Sequence, residues 1–171
     1  MASAKYITEV LKEINDDVSL LKTTYPKIGD GGPLGQIFQH AFMAEHKWLL
    51  PEGEPPFKPD AAPMGMSPAR FIQEVRKFNI FKRTDLKSTK REQLFIGLCE
   101  SVHPDEAKIL IAIKDQKLTD LYPNITREVV AAAGYIPALS PTQVKEEAVQ
   151  VKKSGRPRGR PRKSESPQPV L

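Results

Sequence analysis

Apolar residues recur at intervals of three and four in the first part of the chain, with polar residues between them. From residue 3 to residue 24 the apolar positions are Ile7, Val10, Leu11, Ile14, Val18 and Leu21. This spacing places them on one face of a helix, and Ser3 is suited to be its N-cap. We therefore predict a helix over residues 3–24 that packs on its own domain. The same stripe would also suit a coiled coil or a helix that binds a partner.

Further helices are indicated by apolar spacing and by helix-start signals. Residues 89–92 have the spacing of a capping box that begins with Thr89, and residues 104–106 place a proline and two acids in a first turn. Thr126 is the predicted N-cap of a last helix, which Gly134 closes. The most apolar helix, and thus the predicted core, is the one that begins at Pro104. The helices predicted after the first are 34–46, 68–83, one from Thr89, one from Pro104 and 127–133.

Prolines are concentrated between Pro51 and Pro68, where six occur. Proline lacks a backbone donor and does not fit a helix interior, so this density excludes helix and most sheet pairing. We predict a long loop over residues 51–68 that packs on the surface; a docking strap for another chain is the alternative. The side chains expected to pin the loop are Trp48, Phe57, Met64 and Met66.

Charge is unevenly distributed along the 171 residues, which carry a net charge of +5. From residue 152 onward there are seven basic residues and one acid, a net +6, whereas residues 1–151 carry 19 basic and 20 acidic side chains, a net −1. With 39% hydrophobic and 27% charged residues, the chain suits one globular domain plus tails. The tail therefore holds the positive charge, and we expect no basic groove on the globular part beyond a local patch.

Candidate catalytic and metal-binding residues are few. Cys99 is the single cysteine, and its pairing with His103, four residues on, is opposed by Pro104, which breaks the helix at His103. His40 and His46 lie six residues apart on a predicted helix, so they should point in well-separated directions and not share a metal ion. We expect no enzyme, no cofactor and no metal. No segment approaches the ~20 apolar residues that span a bilayer, and we expect a soluble, cytoplasmic protein.

A basic run near the C-terminus comprises Arg156, Pro157, Arg158, Gly159, Arg160, Pro161, Arg162 and Lys163. It has no large apolar side chain and five like charges, so we predict a disordered, extended segment. The prolines favour extended backbone, and Gly159 lets the chain lie flat against a surface. These properties suit the minor groove of A·T-rich DNA, which is narrow, strongly negative and floored by acceptors.

The run Arg158-Gly159-Arg160-Pro161, with its basic flanks, resembles an AT-hook, the minor-groove peptide of the high-mobility-group A chromatin proteins. The resemblance covers residues 155–163. It implies that Arg158 and Arg160 enter the minor groove while Arg156, Arg162 and Lys163 meet phosphates. A generic basic tail that binds RNA, a nuclear-import receptor or acidic lipid is the alternative.

A second resemblance concerns the body of the chain. Residues 50–66 and the run His103-Pro104-Asp105-Glu106-Ala107-Lys108-Ile109-Leu110, continuing through Leu121-Tyr122-Pro123, resemble a family of small uncharacterised proteins of tailed phages that infect cyanobacteria. It spans most of residues 1–136. The resemblance implies a phage protein in the cytoplasm of a bacterial host, and it implies no activity or site.

Together these patterns predict an all-α protein: a compact bundle of five or six helices with a proline-rich loop and a disordered basic C-terminal tail. The predicted divisions are a helical domain at 1–136, a linker at 137–154 and a tail at 155–171. We expect a non-enzymatic accessory protein that binds double-stranded, A·T-rich DNA through the hook, while the body binds a protein partner or itself. The alternative is a phage structural or assembly protein in which the tail is secondary.

Overall fold

The computed structural model describes residues 5–29, 31–63 and 65–138. Within these ranges the protein is all-α, as the sequence predicted, and the six prolines from Pro51 to Pro68 lie in a long loop whose described residues form neither helix nor strand. Ser3, Met64, the linker beyond Ala138 and the hook at 155–163 lie outside the described residues. The helices are α1 (Ile7–Asp16), α2 (Leu20–Thr23), α3 (Gly32–Phe42), α4 (Phe71–Glu74), α5 (Ser88–Ser101), α6 (Pro104–Lys114), α7 (Leu118–Leu121) and α8 (Arg127–Ala132), with 3₁₀ helices at Ala44–His46 and Val75–Lys82.

Helix α6 lies at the centre of the helical unit and packs against α1, α3, α5 and α7. Most of its apolar residues are buried, while Asp105 and Lys108 in its first half are exposed. The buried ones are Ala107, Ile109, Leu110, Ala112 and Ile113. The prediction that the helix beginning at Pro104 forms the core is confirmed.

The segment predicted as a first helix over 3–24 contains two helices. The carboxylate of Asp17 accepts the backbone N–H of Ser19 at 3.0 Å, and a side chain that takes a nearby backbone donor competes with the helix. As a result α1 ends at Asp16 and α2 begins at Leu20. Val18, predicted on the apolar face, is 36% exposed, whereas the other predicted apolar positions are buried.

The helix predicted over 68–83 is also divided, into α4 and the 3₁₀ helix Val75–Lys82. The buried side chains of the second part are Val75, Phe78 and Phe81. Their spacing of three residues matches the turn of a 3₁₀ helix, which places all three on one face. The ring centroids of Phe78 and Phe81 lie 4.9 Å and 4.8 Å from that of Trp48.

Helix α5 begins before the predicted capping box at residues 89–92. The N–H of Arg91 bonds the carbonyl of Lys87 at 3.1 Å, so the first helical turn already closes on Lys87. Thr89 lies inside the helix, and no side chain caps its N-terminus. The capping-box prediction is therefore wrong.

Helix α8 begins and ends as predicted. The hydroxyl of Thr126 accepts the N–H of Val129 at 3.4 Å. At the other end Gly134 has φ +82°, and the N–H of Tyr135 bonds the carbonyl of Val130 at 3.1 Å. This is a Schellman arrangement, in which glycine adopts the left-handed conformation that other residues avoid.

Candidate functional site

The proline-rich loop covers a pocket of about 220 Å³ on helices α5 and α6. Apolar walls come from Leu50, Pro55, Phe95 and Ile96. The charged residues among those that line it are Glu52, Glu54, Glu92 and Lys114. An apolar cavity with a few convergent polar groups is the usual form of a binding site.

Lys114 joins the loop to the end of α6. Its side chain is 2% exposed, and its ammonium forms an ion pair with the neighbouring Asp115. The ammonium also donates to the carbonyl of Pro51 at 2.8 Å, while the carboxylate of Asp115 accepts the N–H of Gly53 at 3.3 Å. A buried charge needs such partners because it has lost its hydration. Two consecutive residues thus fix the beginning of the loop, and their charges neutralise each other beside the pocket.

Arg91 holds the chain just before the loop. Its side chain is buried, and its guanidinium donates to the carbonyl of Leu49 at 2.6 Å. It also donates to the carbonyls of Arg83 and Leu86, at 2.6 Å and 2.8 Å. A guanidinium carries five donors in a planar fork, so one side chain can satisfy several carbonyls. Arg91 therefore holds Leu49, just before the loop, against residues 83–86, which precede α5.

The later part of the loop is tied to α5. The N–H of Lys58 donates to the carboxylate of Glu100 at 3.1 Å, and the N–H of Ala69 donates to the carbonyl of Ser101 at 2.9 Å. Phe57 packs against the hydrophobic core. Trp48, which precedes the loop, is part of that core. Met66, which the sequence predicted as a further anchor, is 75% exposed. That part of the prediction is wrong, because backbone and carboxylate contacts hold this end of the loop.

Two histidines and the single tryptophan lie close together, next to the residues that precede the proline-rich loop. The indole Nε1 of Trp48 donates to Nδ1 of His40 at 2.9 Å. Nδ1 of His40 also lies 3.1 Å from the carbonyl of His46, which can only accept, so one tautomer cannot make both bonds. The bond from Trp48, the shorter contact, is made by the neutral tautomer that carries its proton on Nε2. Burial of His40 lowers its pKa to about 4, because the charged form would lose its hydration there. His46 accepts a hydrogen bond of 2.9 Å from the ammonium of Lys82, and burial together with that charge lowers the pKa of His46.

The sequence predicted that the two imidazoles point in well-separated directions. In the structure their rings lie close together. Their ring centroids lie 5.2 Å apart. The prediction is wrong because α3 ends at Phe42 and the 3₁₀ turn Ala44–His46 brings the second ring back beside the first. In the ranges that the structure describes, no group of three His, Cys, Asp or Glu side chains is placed to hold a metal ion.

Cys99 is buried in the core, and burial raises the pKa of its thiol to about 12. A thiol with this pKa is almost entirely protonated at neutral pH and is a poor nucleophile. The nearby His103 is used structurally, because its Nδ1 accepts the N–H of Asp105 at 3.3 Å and caps α6. Cys99 thus acts as a small buried hydrophobe in the core.

A family model described as a family of unknown function (DUF6433) matches residues 8–120. The chain is a member of this family. The DUF6433 match includes Arg91, Lys114 and the pocket, and it ends before α8 and the hook. No curated protein and no solved structure matches the chain.

The sequence-predicted site and the site in the described body of this DUF6433 protein are different places. All eight predicted DNA-binding residues belong to the run 156–163, which the described ranges do not include. Arg91 and Lys114 were not among the predicted site residues, because a basic residue in a helical segment normally belongs to a solvated face. No helix of the described ranges is long and apolar enough to cross a membrane.

Proposed function

We propose that this protein is a non-enzymatic DNA-binding accessory protein that holds A·T-rich DNA through residues 155–163. The observation that carries the proposal is the run Arg156-Pro157-Arg158-Gly159-Arg160-Pro161-Arg162-Lys163, in which a Gly-Arg-Pro core has basic residues on both sides. Arg158 and Arg160 enter the minor groove in this proposal, and the flanking cations contact phosphates. The buried, high-pKa thiol of Cys99 is not suited to act as a nucleophile.

Selectivity for A·T pairs follows from the chemistry of the groove. The minor-groove edge of an A·T pair shows only acceptors, whereas a G·C pair adds the guanine amino group. That amino group would obstruct a backbone seated deeply at Gly159. A·T tracts also have a narrow groove whose enhanced negative potential attracts arginine. The hook would therefore distinguish the two kinds of pair by shape and charge.

The helical body supplies the attachment to another protein in this proposal. One hook makes few phosphate contacts and should bind alone with a Kd of roughly 10⁻⁴–10⁻⁶ M at physiological salt. Two or more hooks on one particle could gain about 10²–10⁴ in avidity. We therefore propose that the body binds a protein partner or itself, and the pocket under the proline-rich loop offers a shaped surface for that contact.

The test is a fluorescence-anisotropy titration with A·T-rich and G·C-rich duplexes at two salt concentrations. The proteins are the full-length chain, a truncation ending at Lys152, and the double variant R158A/R160A. The matched control is K152A/K153A, which removes the same number of charges outside the hook. We expect A·T preference in the full-length chain and in the control, with weaker binding at higher salt.

Loss of A·T preference in both the truncation and R158A/R160A would support the proposal. An unchanged A·T preference in R158A/R160A would refute it, because the reading site would then lie elsewhere. Stronger binding of the full-length chain to an RNA duplex than to the A·T-rich DNA would reassign the tail to RNA.

A second candidate is a structural or assembly protein of a phage, acting in the cytoplasm of the bacterial host, in which the tail is secondary. The observation that favours it is the pocket, whose loop is fixed by Lys114 and Arg91. A phage that carries the truncation ending at Lys152 separates the two candidates. Normal particle yield from that phage would favour the assembly role, whereas loss of yield that R158A/R160A reproduces would favour the DNA-binding role.

A further inference from the structure

A second concentration of positive charge lies in the helical body, although residues 1–151 are almost neutral as a whole. Residues 76–91 contain seven basic residues and one acid, a net +6 within 16 positions. The segment runs from the 3₁₀ helix Val75–Lys82 into the first turn of α5. The body therefore has a local concentration of basic residues along the chain that its overall charge conceals.

Four of these cations, which we call the basic corner, lie within nine consecutive residues and are exposed or partly exposed: Lys82, Arg83, Lys87 and Lys90. Arg91 fixes its shape, because its buried guanidinium bonds the carbonyls of Arg83 and Leu86. The backbone that carries Arg83 is thereby held against the first turn of α5. Lys87 is the N-cap of that helix, and Lys90 lies in its first turn.

The charges of the basic corner are largely unneutralised. Lys87 and Lys90 are exposed, and neither forms an ion pair with a carboxylate in the described part of the chain. Lys82 contacts the neutral nitrogen of His46, so its charge also remains. Only Arg83 has an acidic partner, the exposed Asp85.

The position of the two free lysines points to an anionic ligand. Backbone N–H groups at the beginning of a helix give that end a partial positive charge, which favours acidic residues there. The first turn of α5 has no acidic residue; Lys87 precedes that turn as the N-cap and Lys90 lies within it. Their repulsion would be relieved by a bound polyanion.

We infer that the basic corner binds the phosphate backbone of duplex DNA, as a contact independent of sequence that adds to the hook. This inference rests on the proposed function, since the hook would bring the duplex to the protein. Lysine ammonium groups act on phosphates as point charges and read no base edges. The corner would thus add affinity and salt dependence, whereas the hook alone selects A·T pairs.

The test uses the full-length chain and the double variant K87Q/K90Q, with the slope of log K against log salt as the readout. Each lost phosphate contact should reduce the magnitude of that slope by about 0.9, so the double variant should lose about 1.8. The ratio of A·T to G·C affinity should not change. The control is K22Q/K27Q, which removes the charge of two exposed lysines outside the corner and should leave the slope as it is.

Parallel thermal unfolding of both double variants distinguishes a lost contact from a damaged fold. A wild-type slope in K87Q/K90Q, with A·T preference abolished in R158A/R160A, would overturn the inference and leave the proposed function standing. A reduced slope in K87Q/K90Q, with full A·T preference in R158A/R160A, would support the corner and refute the hook. Equal slope losses in K87Q/K90Q and K22Q/K27Q would overturn the inference, because the effect would then come from net charge alone.

Discussion

Nε1 of Trp48 lies 2.9 Å from Nδ1 of His40, and this buried hydrogen bond joins the approach to the proline-rich loop to helix α3. The bond requires neutral His40, because an imidazolium has no acceptor nitrogen. Trp48 is the only tryptophan of the chain. Its fluorescence therefore reports on the region where the loop begins.

The first prediction concerns acid stability. The pKa of His40 is about 4 in the folded protein against an ordinary value of 6.5. Between these two pH values the unfolded chain binds a proton at this position and the folded chain does not. The free energy of unfolding should therefore fall as the pH falls through this window, by up to about 1.4 kcal/mol per pH unit from this group. Its contribution is complete above pH 6.5.

The comparison variant is H40Q, whose amide oxygen can still accept from the indole of Trp48. Urea unfolding followed by tryptophan fluorescence gives the free energy of unfolding of both proteins between pH 4 and pH 8. The difference between them should be constant above pH 7 and should change across the window. If the free energies of unfolding of wild type and H40Q changed in parallel from pH 6.5 to pH 4, the lowered pKa of His40 would be contradicted.

The second prediction concerns Glu106, which is buried and accepts the N–H of Phe71 at 3.4 Å. Burial raises the pKa of this carboxyl above 4.5, so its protonated form favours the folded state. That stabilisation is complete below pH 4.5 and is lost as the pH rises through the folded pKa. E106Q keeps an acceptor for Phe71 without a charge. Urea unfolding should therefore show the variant gaining stability relative to wild type as the pH rises from 4 to 7.

A second substitution at the same position is the control. E106L leaves the N–H of Phe71 without its partner, and an unsatisfied buried donor costs about 1–3 kcal/mol. E106L should thus be less stable than E106Q at every pH. Equal stability of the two variants would show that the hydrogen bond to Phe71 contributes nothing.

The third prediction concerns the anchor of the loop. K114M leaves the carboxylate of Asp115 and the carbonyl of Pro51 without their ammonium, and removing one partner of a buried pair costs about 3–5 kcal/mol. K114M/D115N removes both charges and should be more stable than K114M. The amide of Gly53, which donates to Asp115, should exchange faster with solvent in K114M/D115N than in wild type.

The matched control is K108M on the same helix. Lys108 also pairs with an aspartate, Asp105, but its side chain is 66% exposed. An exposed pair contributes about 0–1 kcal/mol, so K108M should unfold close to wild type in urea. A similar loss of unfolding free energy in K108M and K114M would mean that burial of the Lys114–Asp115 pair does not determine its contribution to stability.

The fourth prediction compares two threonines. Thr126 caps α8 through its hydroxyl, and replacing such a cap by alanine costs about 1 kcal/mol. Thr89 lies inside α5 and caps nothing, so T89A should stay within about 0.5 kcal/mol of wild type. Urea denaturation of the two variants checks both values. A larger loss of unfolding free energy in T89A than in T126A would instead support the capping box that the sequence predicted at Thr89.

Signals confined to one helix predicted the fold well. Pro104 with its two following acids, the hydroxyl of Thr126 and the left-handed glycine at Gly134 each act within one helical turn. Local sequence determines such features, so the sequence could predict them. The break after α1 is also local, but an aspartate in a helical pattern does not by itself reveal that it will take the N–H of Ser19.

The anchors of the candidate site were not predictable in the same way. Lys114 meets Pro51 from 63 positions away, and Arg91 meets Leu49 from 42 positions away. A basic residue in a helix is usually solvated, and only the packing of the loop on α5 and α6 decides otherwise. The contact of His40 with His46 likewise depends on where α3 ends. The hook is the opposite case, because its predicted chemistry is contained in eight adjacent residues.

The reach of Arg91 and Lys114 also sets an order for biosynthesis. The loop leaves the ribosome long before the two side chains that fix it. The carbonyl of Pro51, for example, is bonded by Lys114, which is translated 63 positions later. Domains fold as units as their chains emerge. Until α6 has been translated, the nascent chain presents residues 49–68 without their anchors. The first half of this protein thus reaches its final form only when the second half has been made.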